Sequence, residues 1–568
     1  MTKGIEFTRR QILGIGGALT AGLALPRCAP SSSAPVRRPN GEPLPAVVIG
    51  SGFGGAVAAL RLAQAGIATV VLERGRRWPI GEPYNTFTTW NNGTDWRSTW
   101  LGTDDWIQGG ASVDRGPGLI EFSQEDGLYV VAGAGVGGGS LVYNAVTLQP
   151  RREAFERAFD ERVAYDDLVP FYAQARTMIG PSPIPEDILA TSYYSSHRVF
   201  LEQAKNAGFV TSRPDIAVDW DIVRAELRSA ARLKQGLALG PGEVPPSAIW
   251  GAHWYGINSG AKKSLDRSYL AAAEATGRVD IRPLHLVTAI EEQDRGLYRV
   301  AFDVLDDAGQ VTASDALTCR SLFLAAGSMG TTRLLVRARD EGTLPRLDAE
   351  VGRTWGNNGD AYGYRFAYGV PTNVMRGGPS AVMAEDPEAG TALQTFPNFP
   401  IPGASLPAQS LFVFGMSVGG AGGSFEYLPN EVDAQTGRPG AVRLHWQDPR
   451  IGGASSVERF EQSHGRLNAA PGNEGAAAVL RAITGGDARQ VLGATAMAAH
   501  PLGGAVIGTT RLPGVCDGYG RVRDHERLYV VDGALIPGST GAVNPSLTIA
   551  ALAERALQAI LAADGLGG

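Results

Sequence analysis

Pro45-Ala46-Val47-Val48-Ile49-Gly50-Ser51-Gly52-Phe53-Gly54-Gly55 decides the fold. An apolar run ends in glycines spaced G-x-G-x-x-G. Helical periodicity follows over residues 54–65, with Val57, Leu60, Leu62 and Ala63 at apolar positions. The pattern predicts a buried strand, a tight turn and a helix. A second apolar run, residues 68–72, predicts the next parallel strand, and Glu73 closes it roughly 20 residues past the first glycine. Gly50 allows the turn, Gly52 lets a pyrophosphate approach the backbone, and Gly55 lets helix and strand pack closely. Phe53 and Gly54 open the helix, whose first N–H groups are free for phosphate, and Glu73 stands where a carboxylate accepts ribose hydroxyls. With 75 glycines in 568 residues the spacing alone arises by chance. The whole unit, in order and with its acid, points to an adenine dinucleotide, and NAD and FAD both fit it.

The length corresponds to about three or four domains' worth of chain. The sequence is 44% hydrophobic and 19% charged, with a mean hydropathy of −0.07, which describes a globular protein with a large core. Net charge is −6, and no basic stripe suggests nucleic acid as a partner. Cys28, Cys319 and Cys516 lie far apart, and no Cys or His spacing predicts a metal.

The N-terminus reads separately. Arg9-Arg10 precede a mild apolar stretch, residues 12–25, as in a twin-arginine export signal. A packed or disordered N-terminal helix is the alternative. The stretch is too short and too weak to span a membrane. Cys28 follows it, but Pro26 and Arg27 suit a lipidation site poorly. Residues 29–45 are rich in Pro and Ser and read as a linker. The expected location is periplasmic, cell-envelope or secreted. No other segment resembles a membrane span, and contact with a membrane is expected to be at most transient and at its surface.

Residues 76–125 look irregular and hold Trp78, Trp90, Trp96, Trp100 and Trp106, which suit either a wall for an apolar substrate or packing under a long loop. A second glycine-rich element, residues 130–143, contains Gly133, Gly135, Gly137, Gly138, Gly139 and Ser140, backbone able to lie flat against a planar ligand. Residues 151–255 read as mainly helical. Strands are expected at 279–281, 286–290, 298–304 and 316–319, then a buried strand from 322 running into Gly327 and a helix at 331–338. Residues 353–485 alternate short apolar runs with turns, as in an antiparallel sheet, with the clearest strands at 411–417 and 441–446. The last stretch holds His500-Pro501-Leu502-Gly503-Gly504, then Val531-Asp532-Gly533, then Val543-Asn544-Pro545 opening a helix through 557.

In this order and spacing the segments resemble the glucose-methanol-choline (GMC) flavoprotein oxidoreductases, and within them the secreted bacterial cholesterol oxidases with non-covalent FAD. The likeness covers residues 45 to 562. It implies an α/β fold with a discontinuous Rossmann-like FAD-binding domain (45–80, 126–150, 258–350 and 486–568). A substrate domain built on an antiparallel sheet plus helices would take 81–125, 151–257 and 351–485, after a signal and linker at 1–44. It implies roles as well. Glu73 would bind the adenosine ribose, and Val287 would lie near the adenine. The loop from Gly133 to Ser140, with Gly135, Gly138 and Gly139, would line the flavin. Gly327, Asp532 and Gly533 would meet the dinucleotide, the last two near the ribityl and phosphates. His500, Asn544 and Pro545 would face the flavin.

Alcohol oxidation removes a proton from O–H and a hydride from the carbinol carbon. A histidine titrating near neutrality can take the proton, and an asparagine amide can orient the alcohol. His500 and Asn544 are therefore the expected catalytic residues. The expected reaction is oxidation of an apolar, sterol-like secondary alcohol to a ketone, with oxygen reduced to hydrogen peroxide. A dehydrogenase passing electrons to a quinone or cytochrome is one alternative. A lyase or isomerase with structural FAD is another.

Three departures from the family pattern stand out. Cholesterol oxidases carry a glutamate three residues before a Pro-x-Pro, the base for moving the steroid double bond. Here Pro400-Ile401-Pro402 matches the Pro-x-Pro, and Pro397 takes the glutamate's place. Oxidation without efficient isomerisation is expected from this. The segment Gly541-Ala542-Val543-Asn544 is one residue longer than the pattern, and Ala499 replaces an aromatic residue before the histidine. No histidine lies in the glycine-rich flavin loop, so covalent flavin attachment is not expected.

Overall fold

The computed structural model describes residues 42–566, except 90–93, 106–110, 367–369, 374, 398–408, 451 and 474–494. The export signal, Cys28, Trp90, Trp106 and Pro400-Ile401-Pro402 lie outside the described residues.

Strand β1 (Leu44–Ile49), helix α1 (Phe53–Gln64) and strand β2 (Thr69–Leu72) form the first unit. β1 and β2 pair in parallel, Ala46 opposite Thr69 through Ile49 opposite Leu72. Their side chains are almost all buried, as a parallel sheet covered on both faces requires. Gly50 sits at φ +95, and a Cβ there would collide with the carbonyl of Ala325. Gly52 caps α1 without any side-chain bond to its first N–H groups.

The hairpin β3 (Ile120–Glu125) and β4 (Leu128–Gly133) follows. Helices α2 (Arg152–Phe159), α3 (Tyr165–Ile179), α4 (Ser195–Asn206) and α5 (Trp220–Lys234) account for most of the region read as helical, with the short strand β5 (Val210–Ser212) between the last two. Asp219 caps α5 by accepting from Asp221 N and Ile222 N.

Strand β6 (Val279–Arg282) joins β2 in parallel. β7 (His285–Gln293), β8 (Leu297–Leu305) and β9 (Val311–Leu324) then run as an antiparallel meander. The two strands expected at 316–319 and from 322 are one strand, β9. Its first half is exposed and pairs only with β8, whereas Ser321 to Leu324 lie buried beside β1. The change of composition marks a change of neighbour, not a break. Helix α6 (Gly327–Asp340) leaves the buried end.

Strands β10 (Asp360–Phe366), β11 (Met383–Asp386), β12 (Thr391–Phe396), β13 (Ser410–Ser417), β14 (Gly423–Val432) and β15 (Pro439–Trp446) supply the expected antiparallel structure. Helix α7 (Ser456–Ala469) was not anticipated there. Its start was signalled by Ser455 and Glu458, which form a capping box. Phe460 of α7 lies so close to β13 that a Cβ on Gly415 would stand 2.5 Å from its ring. Strand β16 (Thr495–Ala498), strand β17 (Leu528–Val530) and helix α8 (Ser546–Ala563) complete the chain.

Among the described residues one sheet runs β6-β2-β1-β9-β8-β7, with β17 beside β9. A second runs β3-β4-β16-β10-β13-β12-β11-β5. Every side chain of β12 and β13 is buried, so this sheet is covered on both faces at its centre. α8 is long and apolar enough to cross a membrane, but most of it is buried here. Its Glu554 accepts from Arg61 (2.6 Å) and Tyr269 (2.7 Å), which ties it into the core.

Trp78 and Trp96 stack at 6.3 Å, and Trp78 also meets Phe87 and lies in a cluster with Leu119, Leu141 and Tyr255. Of the two readings of this tryptophan-rich stretch, packing under the loop is the one that Trp78 and Trp96 follow.

Candidate active site

A cavity lies between the turn after β1, the hairpin β3–β4, the start of α6 and the centre of the second sheet. Glu73 lines it and is only 5% exposed. One carboxylate oxygen accepts from Ser51 N (3.0 Å) and Ser51 Oγ (2.6 Å), and the other from Gly75 N (2.9 Å). The acid at the end of β2 thus fastens the turn that follows β1.

Gly50, Gly52, Phe53, Gly54, Gly138, Gly139, Val287, Gly327, Asp532, Gly533, Asn544, Pro545 and His500 also line the cavity. Three expected residues do not. A Cβ on Gly55 would strike the carbonyl of Gly50, so this glycine sets the contact between α1 and the turn. Gly135 packs against the Trp78 ring, where a Cβ would stand 2.7 Å away. Ser140 Oγ donates to Gly137 O (2.7 Å) and accepts from Leu265 N (3.0 Å). These three shape the wall from behind.

Asp532 accepts from Thr331 Oγ1 (2.6 Å), Gly327 N (2.8 Å) and Ala534 N (2.9 Å). Burial pushes its carboxyl up to about 6 in spite of these bonds. It therefore ties the start of α6 to the segment after β17.

Near Glu73 lies a charge cluster that the sequence reading missed. Glu121 pairs with Arg74 (2.5 Å) and Arg333 (3.1 Å), and Arg337 pairs with Asp433 (3.0 Å). Burial raises the Glu121 carboxyl, but the two guanidiniums outweigh it and hold it below its usual range. The available signal was Arg333 and Arg337, four apart on one face of α6.

A second group of lining residues gathers around His500. His500 Nδ1 lies 3.0 Å from Asp360 Oδ1, and Asp360 Oδ2 accepts from the backbone N–H of Ala499 (3.1 Å) and His500 (3.0 Å). Asp360 is fully buried at the head of β10, and burial raises its carboxyl against the opposing pull of His500. An accepting carboxylate keeps the proton on Nδ1, so Nε2 is the bare nitrogen that faces Asn544. Asn544 Nδ2 is 3.3 Å from Nε2, and Asn544 Oδ1 accepts from Gln394 Nε2 at 2.7 Å. Asp360 and Gln394 were both missed; each shares its strand with other polar side chains, Arg365 in β10 and Thr391 and Thr395 in β12, and nothing local sets it apart. Asp360→Asn is expected to slow alcohol oxidation by about 10²-fold at unchanged cofactor content, because an amide can hold the wrong tautomer. Stopped-flow absorbance of the enzyme as isolated reads both.

The segment before Asn544 makes a tight local turn. Gly541 and Ala542 adopt φ +87 and +60 in succession. Asn358 pins the loop by accepting from Thr540 N (2.9 Å) and donating to Val543 O (2.9 Å). Of the other histidines, only His285 lines this cavity, beside Val287.

Phe122, Val131, Trp254, Phe396, Phe414 and Met497 give the cavity an apolar wall. Pro397, read as standing in the glutamate's place, is not among the lining residues. Its carbonyl accepts from Trp254 Nε1 (3.2 Å). Gln394, three residues earlier, faces the cavity instead. In β12 the residues at 394 and 396 point the same way, as the two-residue period of a strand dictates.

Residues 450–553 match the family model described as GMC oxidoreductase, the segment that carries His500 and Asn544. A cholesterol oxidase of Mycobacterium tuberculosis is 29% identical over 547 residues, 90% of each chain. Residues 450–553 thus carry a GMC oxidoreductase C-terminal domain, and the chain is homologous to cholesterol oxidases over 90% of its length. A cholesterol oxidase of Acinetobacter baumannii is 25% identical over 90% of this chain and 94% of its own. The crystal structure of pyridoxine 4-oxidase from Mesorbium loti superposes with a TM-score of 0.59 at 16% identity, covering 90% of this chain and 98% of that one. The domain match and the cholesterol oxidase homologues support an oxidoreductase acting on CH–OH donors.

The family is one of flavoproteins, and FAD is the expected group. The residues present fit it. A Cβ on Gly52, Gly139 or Gly327 would meet nothing within 4 Å, so the backbone there is bare toward neighbouring space. Asn144 Oδ1 is buried at the cavity wall without a protein partner and is available to a ligand N–H. Glu73 keeps lone pairs for ribose hydroxyls beyond the three bonds it already accepts.

Proposed function

We propose that this enzyme oxidises an apolar secondary alcohol of sterol-like character to a ketone and forms hydrogen peroxide. The observation that carries the reading is the His500–Asn544 pair, aligned by Asp360 and set against an apolar wall. FAD, when bound, supplies the acceptor for the carbinol hydride and passes the electrons to oxygen. The alcohol oxygen accepts from Asn544 Nδ2 and donates its proton to His500 Nε2. Asp360 stabilises the imidazolium that results and keeps the ring from turning. Trp254, Phe396 and Phe414 exclude water and hold the apolar body of the substrate. The similarity to cholesterol oxidases supports a sterol-sized substrate.

Moving a double bond needs a base that takes a carbon-bound proton. Gln394, not a carboxylate, faces this part of the cavity, so the product is expected to keep its double bond where it was. We further propose export by the twin-arginine route, from Arg9-Arg10 and the apolar stretch after them. Cholesterol, a terpenoid alcohol, a sugar and an aryl alcohol are the test set, each assayed for peroxide, for dye reduction and for product by mass and ultraviolet spectrum. Peroxide with an unconjugated ketone from the sterol is the expected result. Dye reduction without peroxide would replace oxygen by another acceptor, and a conjugated enone would refute the role given to position 394.

A further inference from the structure

We propose that Gln394 is a positioning residue: its side-chain amide fixes the Asn544 amide so that Asn544 presents N–H, not C=O, to the alcohol oxygen beside His500. The inference rests on the alcohol-oxidising reading of this site and assigns a role that the histidine–asparagine pair does not contain.

Gln394 is 1% exposed, in a strand whose six side chains are all buried. A primary amide there costs free energy unless it is partnered. Its Nε2 donates to Asn544 Oδ1 at 2.7 Å, while its Oε1 is buried with no partner. The site thus leaves an acceptor unmatched and keeps the donor engaged.

The polarity of the chain of bonds explains the choice. Asp360 accepts at His500 Nδ1, which leaves Nε2 as a lone-pair nitrogen. Asn544 must therefore turn an N–H toward Nε2, with its oxygen the other way. Gln394 meets that oxygen with N–H. Reversing the Gln394 amide sets two carbonyl oxygens against each other. Reversing both amides sets Asn544 Oδ1 against the Nε2 lone pair. One arrangement satisfies Asp360, His500, Asn544 and Gln394 together. In it the alcohol oxygen accepts from Asn544 as its proton leaves for Nε2, and the same N–H supports the negative charge that develops.

The titratable groups packed around this amide are His500 and, behind it, Asp360. The phenol of Tyr364 lies in the hydrophobic cluster that includes Phe396 and Phe414, and burial pushes it up. On the neighbouring strand β11, Glu385 is paired with Arg151 (2.8 Å). Phe414, opposite on β13, carries no charge.

The test compares Gln394→Glu and Gln394→Met with the wild-type holoenzyme at equal flavin content, from about pH 5 to pH 10. Flavin reduction is followed anaerobically with 1-phenylethanol and with cholesterol in detergent. In Gln394→Glu the ionised carboxylate only accepts, so it pulls Asn544 round and removes the N–H from the alcohol. The rate of Gln394→Glu is expected to fall about 10²-fold at alkaline pH. Once protonated, the introduced carboxyl donates again, so the deficit relative to wild type is expected to shrink as pH falls. Gln394→Met has no donor at any pH and is expected to show a deficit that does not change with pH. Binding of 2-phenylpropan-2-ol, a tertiary alcohol with no carbinol hydrogen, is read from flavin absorbance and is expected to follow the same two patterns. A Gln394→Glu deficit independent of pH, or rates and binding within twofold of wild type throughout, overturns the proposal. If neither these two alcohols nor a wider panel reduces the wild-type flavin, the alcohol-oxidising reading fails, and the tertiary-alcohol titration still decides the role of Gln394.

Discussion

His500→Ala is expected to slow flavin reduction by alcohol about 10³-fold while FAD stays bound. In the proposed reaction the imidazole takes the hydroxyl proton, because Asp360 holds Nδ1 and leaves Nε2 bare beside Asn544. Without it the alcohol must lose its proton to water or to an amide, neither of which is a base near neutral pH. Binding of FAD is expected to survive, since Glu73, the glycine turn and Asp532 do not depend on the imidazole. Anaerobic stopped-flow measurement of the flavin absorbance checks both parts. A rate within threefold of wild type would remove His500 from the reaction.

Two glycines in one turn are expected to fail in different ways. A Cβ on Gly54 would collide with the carbonyl of Val531 and stand 3.1 Å from the Cα of Asp532. That backbone follows β17, and it cannot retreat without moving α1 or the sheet. Gly54→Ala is expected to destabilise the protein by about 3 kcal/mol and to lose FAD as a consequence. A Cβ on Gly52 meets nothing within 4 Å in the protein alone. Gly52→Ala is expected to keep apoprotein stability within about 1 kcal/mol, the scale of an N-cap exchange. Its FAD affinity is expected to fall by at least about tenfold, or about 1.4 kcal/mol, because the methyl group enters the space of the pyrophosphate. Urea unfolding of the apoproteins and FAD titration separate the two. Equal FAD affinity in Gly52→Ala and wild type would show that the dinucleotide does not cross this turn.

The turn after β1 was legible because its constraints are local. Gly50 needs a positive φ, Glu73 ends the next strand, and both follow from short-range spacing. His500 and Asn544 were legible through the segments around them. Asp360 and Gln394 were not, because their importance comes from long-range pairing. Asp360 reaches His500 across 140 positions, and Gln394 reaches Asn544 across 150. Either residue alone reads as one polar group among others in its strand. That Gln394 lines the cavity and Pro397 does not has a similar origin. Counting back from a Pro-x-Pro measures distance along the chain, whereas the pleat of β12 decides which side chain reaches the cavity. The strand at 311–324 was split in the sequence reading because composition reports neighbours, and its neighbours change halfway.

The central claim is that this chain oxidises an alcohol through His500 and Asn544. The most direct measurement is anaerobic mixing of the flavin-loaded enzyme with cholesterol and with 1-phenylethanol, followed by the visible absorbance. The account predicts that at least one of them bleaches the yellow flavin, fast in the wild type and about 10³-fold slower in His500→Ala. A wild-type flavin that stays oxidised with both, and with a wider panel of alcohols, would contradict it.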